Sequence, residues 1–442
     1  MKKKYSRYTA ISVVVANMIG TGVFTSLGFQ VMGLSSGFAL VMLWLIGGII
    51  ALCGAFAYSE LAVKLPKSGG EYNFLSEIYH PAMGFLAGWI SITIGFAAPV
   101  AAAAIAFGKY FSSSLGFPSS FFLSERLTAP VLFAIVLILA LSLIHTFNKI
   151  VGATFQNIMT VMKVLFILLL IVLGFTYGTS THIGFLPSRH ALKEMISPAF
   201  AVSMFFVTYS YSGWNAAAYI SAEIKDQKKN IPISLISGTA VVIFLYLFLT
   251  VVFLLTLPIA EVSGKLEVGY LFANKILGAK AGVIMGSVIS FLLISSVSSM
   301  IIVGPRVYNA MGEDYPRLKW LSKKRNDIPA LAILFQSLLS IVFILTSTFE
   351  QVIVIIGFTL NLFTFMTVLG VFVLRRKRPE LKPPFKTMGY PFLPGLFLIL
   401  NLWILGYGFI SRPHESLAGI GITLAGLAIY FVAGKKNKAI VG

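Results

Sequence analysis

Twelve long apolar runs follow one another along this chain with only short breaks, and they leave it few ways to fold. They occupy residues 9–30, 38–60, 83–112, 128–145, 151–177, 196–222, 233–257, 281–304, 329–348, 350–374, 391–411 and 416–434. About 20 apolar residues in a helix cross the hydrocarbon core of a bilayer. Within lipid, a helix satisfies its own backbone polar groups. With 57% hydrophobic and 11% charged residues, the chain also lacks the roughly 25% charge that clothes a soluble domain. The expected architecture is an all-α membrane protein of twelve transmembrane helices, one polytopic domain over 1–442 with almost nothing left for a soluble module.

A formal charge of +19 would suggest nucleic acid in a soluble chain, but short cytoplasmic loops rich in Lys and Arg explain it here without a nucleic-acid partner. With the N-terminus inside, 25 of the 34 Lys and Arg fall on the inner side and eight on the outer, and Lys163 belongs to neither. That asymmetry predicts both termini in the cytosol and a plasma or inner membrane location. Met1-Lys2-Lys3-Lys4 resembles the basic start of a signal peptide, yet no small-residue cleavage site follows the apolar run. The single cysteine, Cys53, lies in an apolar run, so no intrachain disulfide can form.

All 15 carboxylates are expected in loops or at span ends, with Glu60 and Glu223 the closest to the membrane. His80, His145, His182, His190 and His414 are placed likewise in loops or near a boundary. No H-E-x-x-H, clustered Cys/His or Walker-type glycine loop occurs. A metalloprotease, a metal site, a cofactor site or an ATP-driven pump therefore has no residues to run on. The small-residue stretch Ala97 to Ala106 predicts close helix packing by span 3.

Two motifs interrupt the apolar pattern. Span 1 contains Asn17-Met18-Ile19-Gly20-Thr21-Gly22-Val23-Phe24 near its middle, and span 6 contains Tyr209-Ser210-Tyr211-Ser212-Gly213-Trp214-Asn215. Each glycine costs a helix about 1 kcal/mol against Ala. One such motif alone could serve only tight packing. Two, at the openings of two five-span halves, are the sequence pointer to a transporter site. A restarting helix offers free N–H groups and a positive dipole end to a carboxylate, and the half-helix before it offers carbonyls to an ammonium. The pair suits a zwitterion, and an amino acid is the obvious one.

On these residues the chain resembles the amino acid–polyamine–organocation transporter superfamily, most of all the L-type amino acid transporter branch and its bacterial relatives. Gly20-Thr21-Gly22-Val23-Phe24 is similar to the family's G-[ST]-G-[IV]-F, and Glu60-Leu61 with Pro66-Lys67-Ser68-Gly69-Gly70-Glu71-Tyr72 resembles its loop after span 2. Gln156-Asn157, Thr160 and Lys163 follow in span 5, then Ser212-Gly213-Trp214-Asn215, Glu223 and Asn230-Ile231-Pro232. Arg306-Val307-Tyr308-Asn309-Ala310-Met311, Arg378-Pro379-Glu380, Pro384-Phe385-Lys386 and Gly389-Tyr390-Pro391 complete the series. The resemblance implies the inverted-repeat fold of sodium-coupled leucine transporters, with helices 1 and 6 discontinuous. The repeats would cover 9–177 and 196–374, followed by spans 11 and 12 over 391–434. It implies a substrate carboxylate on Gly20, Thr21 and Gly22. The amine would meet carbonyls near Met18, Ile19, Tyr209 and Ser212, with Ser210 and Gly213 in the same break and Tyr209 at the aromatic gate. Ser212 stands where L-type relatives commonly have glycine.

Lys163 lies about twelve residues into span 5, roughly 18 Å from its inner end at 1.5 Å per residue, too far to snorkel out. A lysine at span centre costs roughly 2.5–3.5 kcal/mol on insertion scales, so it needs partners. Carbonyls of the span 1 break and the span 8 hydroxyls Ser295, Ser296, Ser298 and Ser299 are the available ones. In similar transporters a span 5 lysine takes the place of sodium. The chain is therefore expected to be a sodium-independent secondary transporter, not an enzyme, working by alternating access as an exchanger or a proton symporter, since a desolvated lysine can supply a titrating group. The absence of carboxylates at depth favours neutral amino acids over cationic ones or polyamines. A channel would show rings of charge or filter loops, and none is seen. The loop between spans 3 and 4 has no cysteine, so no disulfide-linked accessory subunit of the kind some animal relatives use is expected. The partners are the amino acid and the lipid bilayer.

Overall fold

The structure, a computed structural model, describes residues 5–117, 127–147, 153–178, 183–324, 329–381 and 384–434. Lys149, Arg325 and the lysines after 434 lie outside the described residues, as do the side chains of Gln156 and Asn157. The protein is all-helical, and the described residues form no sheet. Ten helices are long and apolar enough to cross a membrane, and an eleventh crossing is formed if the bent pair Arg189–Met195 and Pro198–Tyr211 counts as one. Ala330–Thr346 is apolar and shorter.

Local chemistry explains where the helices start, stop and bend. Ser6 caps Arg7–Met18 by accepting from the Thr9 N–H, and the helix ends at Ile19 before restarting as Gly22–Gln30. Ser36 caps Gly37–Lys64 in the same way. Such caps satisfy N–H groups that the helix itself leaves unpaired. Span 3 begins as Pro81–Ile90, widens into a π-helical segment over Ser91–Phe96, and continues as Ala97–Ser114. The widening precedes Pro99, which has no N–H to return to the preceding turn. The alanines that follow are buried, and their small side chains let span 3 lie tightly against span 8, as the stretch predicts.

Span 8 departs from its expected boundary. Instead of ending at 304 it runs as Ala279–Asp314, straight through Pro305 and the Arg306–Met311 motif. Beside the proline, Gln336 of span 9 donates to the Met300 carbonyl at 3.0 Å. The loop after span 2 departs as well. Gly69 and Gly70 take positive φ angles of 118° and 53°, a conformation glycine adopts without a Cβ penalty. They turn the chain inward so that Glu71–Ile78 becomes a short helix whose first residues are buried.

Candidate functional site

The two broken helices meet face to face. Span 6 is helical over Pro198–Tyr211, turns through 212–215 and resumes as the short helix Ala216–Tyr219. Gly213 has φ +98°, and a Cβ there would come within 2.7 Å of the Asn17 backbone. A Cβ on Gly22 would meet the Ser210 Oγ at 2.2 Å. Both glycines are therefore what lets the breaks approach. Gly20 differs, because its Cβ would meet nothing within 4 Å. Thr21 Oγ1 and Tyr209 OH share a hydrogen bond of 2.7 Å across the junction, and Ser210 Oγ lies 3.2 Å from Ser26 Oγ.

Fixed side chains hold the carbonyls at the end of the first half-helix. Tyr246 donates its hydroxyl to the Met18 carbonyl at 2.7 Å. Lys163 donates to the Ile19 carbonyl at 3.1 Å and to Ser296 Oγ at 2.8 Å. Its side chain is buried and has no carboxylate within ion-pair distance among the described residues. Of the other serines named from the sequence, Ser298 shares a 2.8 Å hydrogen bond with His145 Nε2. Ser295 Oγ is buried with no hydrogen-bond partner among the described residues, and Ser299 faces the cavity. The Met18 and Ile19 carbonyls, expected to meet an amine, thus each already accept one hydrogen bond.

Below the junction lies a cavity of about 730 Å³, within the 300–1,000 Å³ usual for small-molecule sites. Tyr209, Ser212, Gly213, Ser298 and Ser299 line it, and Met18, Ile19, Gly20, Thr21, Gly22, Ser210, Lys163, Ser295 and Ser296 lie outside its lining. The π-helical turn of span 3 contributes Ser91, Gly95 and Phe96. The cavity reaches the face bearing Tyr5, Ser68, Glu223 and Arg306. Toward the opposite face, Phe29 stacks between Phe206 and Phe349 at centroid distances of 5.4 and 5.5 Å, so an aromatic plug closes that side.

Sequence reading missed several lining groups. Asn17 and Asn215, each within one of the two interrupted motifs, both line the cavity. His145, expected near a span boundary, is buried and faces the cavity from span 4. Thr208 and Asn361 line it joined by a 3.2 Å hydrogen bond. The largest correction is Glu71. Placed in a loop by its sequence, it lines the cavity and is 4% exposed. It accepts from Tyr58 OH at 2.5 Å and from Asn215 Nδ2 at 3.4 Å. Burial, opposed by these two hydrogen bonds, pushes its carboxyl up from 4.5 to about 7. The adjacent glycines at 69 and 70 were the available signal.

Known proteins match along nearly the whole chain. A family model described as amino acid permease covers residues 5–433. Large neutral amino acids transporter small subunit 2 of Mus musculus is 28% identical over 438 residues, spanning 98% of this chain and 81% of its own length. The serine/threonine exchanger SteT of Bacillus subtilis is 29% identical over 448 residues, spanning 99% of this chain and 98% of its own. Asc-type amino acid transporter 1 of Mus musculus is 27% identical over 438 residues, spanning 98% and 81%.

Proposed function

Because the chain belongs to the amino acid permease family, and is accordingly a multi-pass membrane transporter of amino acids and not an enzyme, we propose that it moves neutral α-amino acids across the cell membrane by sodium-independent alternating access. The observation that carries this reading is the junction of two interrupted helices above one cavity. At that junction the restarting Gly22–Gln30 helix presents N–H groups and a positive dipole end to a carboxylate. Open space at Gly20 leaves room for it. The turn at Ser212 and Gly213 and the carbonyls behind Asn17 receive the ammonium. The relatives whose names specify neutral or hydroxylated amino acids support that substrate class.

The coupling reading rests on Lys163. Its ammonium bridges the span 1 break and span 8, where it supplies a fixed positive charge, and the carrier then needs no sodium. Twelve spans in two inverted repeats, 9–177 and 196–374, place the inner face at the Lys- and Arg-rich loops and both termini in the cytosol. The cavity then opens inward while the Phe29 plug closes the outside. With no cysteine besides Cys53, the protein works without a disulfide-linked accessory subunit.

Uptake of labelled amino acids into proteoliposomes tests the reading. Free neutral amino acids should compete, whereas their methyl esters and N-acetyl derivatives should not, because one lacks the carboxylate and the other the ammonium. Replacing sodium by potassium should leave the rate unchanged. Equal competition by either derivative, or strict sodium dependence, would overturn it. Preloading with unlabelled amino acid separates exchange, which it accelerates, from proton symport, which an imposed pH gradient accelerates.

A further inference from the structure

Among the described residues two carboxylates are buried, and their surroundings differ sharply. Glu60 accepts from Arg375 Nε and Nη2 at 2.9 and 2.6 Å, and from both the N–H and the hydroxyl of Thr387 at 2.7 Å. Lys64 lies 3.1 Å from it as well. Its charge is fully compensated, as burial of an ion requires. Glu71 is equally buried, and among the described residues the two groups that hydrogen-bond it are neutral. Span 2 brings Tyr58, and span 6 brings Asn215 and Tyr219, whose ring lies against Gly70. Ser91 of span 3 in turn hydrogen-bonds Tyr219. No cation among the described residues comes within ion-pair distance of Glu71. The other charged or titratable groups of the cavity wall include His145, Glu223 and Arg306, and none of them is bonded to it.

A buried carboxylate without a counter-charge is costly, and this one faces a cavity whose every cargo carries an ammonium group. The geometry points to Glu71 as an ammonium subsite in the cavity wall, a station separate from the two helix breaks and completed by a primary ammonium of the transported molecule. The inference rests on the amino acid permease reading. Two sources fit the chemistry: the α-ammonium of an amino acid leaving the breaks, or the distal ammonium of a cationic side chain whose α-groups remain there. Tyr58 and Asn215 orient the carboxylate, and Tyr58 is itself held by a T-shaped contact with Trp214, another lining residue, at 4.7 Å between centroids. Because the carboxyl titrates at about 7, the subsite strengthens as pH rises and more of it becomes charged.

Norleucine and lysine separate the sources, since lysine extends the same chain by a terminal ammonium. Their dissociation constants are measured on the purified full-length protein at about pH 6 and about pH 8, for the wild type, Glu71→Gln and Tyr58→Phe. If the distal ammonium is held, lysine binds more tightly than norleucine by about tenfold at the higher pH. Glu71→Gln then collapses the ratio. If the α-ammonium is held, Glu71→Gln weakens both ligands by the same factor and the ratio stays constant. Tyr58→Phe removes a hydrogen bond that favours the charged carboxylate, so it should move the pH midpoint of either effect upward while the carboxylate remains. This second variant reads the subsite even if Glu71→Gln fails to fold. Affinities of both ligands unmoved by either variant at both pH values would overturn the subsite and leave the permease reading intact. Failure of the wild type to bind any amino acid would remove both.

Discussion

The two helix breaks look equivalent in sequence and are not equivalent in space. The span 1 break is tied from behind: Tyr246 holds the Met18 carbonyl, Lys163 the Ile19 carbonyl and Tyr110 the Phe24 carbonyl at 2.7 Å. Only Asn17 from the Asn17–Phe24 motif reaches the cavity. The span 6 break lies open along it, with Tyr209 and the run from Tyr211 to Ala216 all lining the wall. One break is anchored to its surroundings by donors from spans 3, 5 and 7. The other is free to present its turn to whatever enters. An unwound segment in a membrane protein is tolerated where protein covers it or where it lines a cavity, and this chain has one of each.

Removing an anchor is the strongest way to break that contrast. Lys163→Ala deletes two charge-assisted hydrogen bonds, each worth about 1.5–3 kcal/mol. Transport should fall by roughly a hundredfold or more, with expression largely retained. Lys163→Arg should not rescue fully, because a guanidinium is larger and does not deprotonate. Initial uptake rates per molecule of purified protein measure this. Wild-type rates in Lys163→Ala would show that the span 1 break needs no anchor.

The glycines sharpen the contrast at intermediate magnitude. Gly22→Ala drives a Cβ to 2.2 Å from Ser210 Oγ, an overpacking that should cost about 1–3 kcal/mol. Gly20→Ala meets nothing and should leave stability within about 1 kcal/mol, while lowering substrate affinity by crowding the carboxylate. Thermal unfolding in detergent, with and without substrate, separates the two. Equal destabilisation by both variants would mean that Gly20 does not border open space.

The smallest effect is expected at the hydrogen bond joining the breaks. Tyr209→Phe leaves the ring in place and removes only the 2.7 Å bond to Thr21, worth about 1 kcal/mol. Stability should drop slightly, and Thr21→Val should add little on top of it, because both changes remove the same bond. A double-mutant cycle on unfolding temperature checks this.

Apolar length and glycine placement act on a helix locally, and for that reason the spans and their interruptions are legible residue by residue. Gly20, Gly22 and Gly213 announce the breaks, and Ala97–Ala106 announces a packed helix face. Lys163 announces its need for partners, because a mid-span charge has no solvent to fall back on. Which partners it takes is a different kind of fact. Ile19 and Ser296 are 144 and 133 residues away in the chain, and four span 8 serines were equally available until packing placed one of them on the ammonium.

Glu71 marks the limit most clearly. In sequence it follows Lys67-Ser68-Gly69-Gly70 and looks like an ordinary solvated loop carboxylate, since polar loop residues next to a membrane normally face water. Only the tertiary structure, by folding those glycines inward against Tyr219 and closing Tyr58 and Asn215 around the side chain, brings it to the cavity. The sequence determines where this chain can enter lipid and where its helices must break, because those are costs each segment meets alone. Which polar groups share one cavity depends on segments far apart along the chain meeting at one place, and that is decided only when the helices pack.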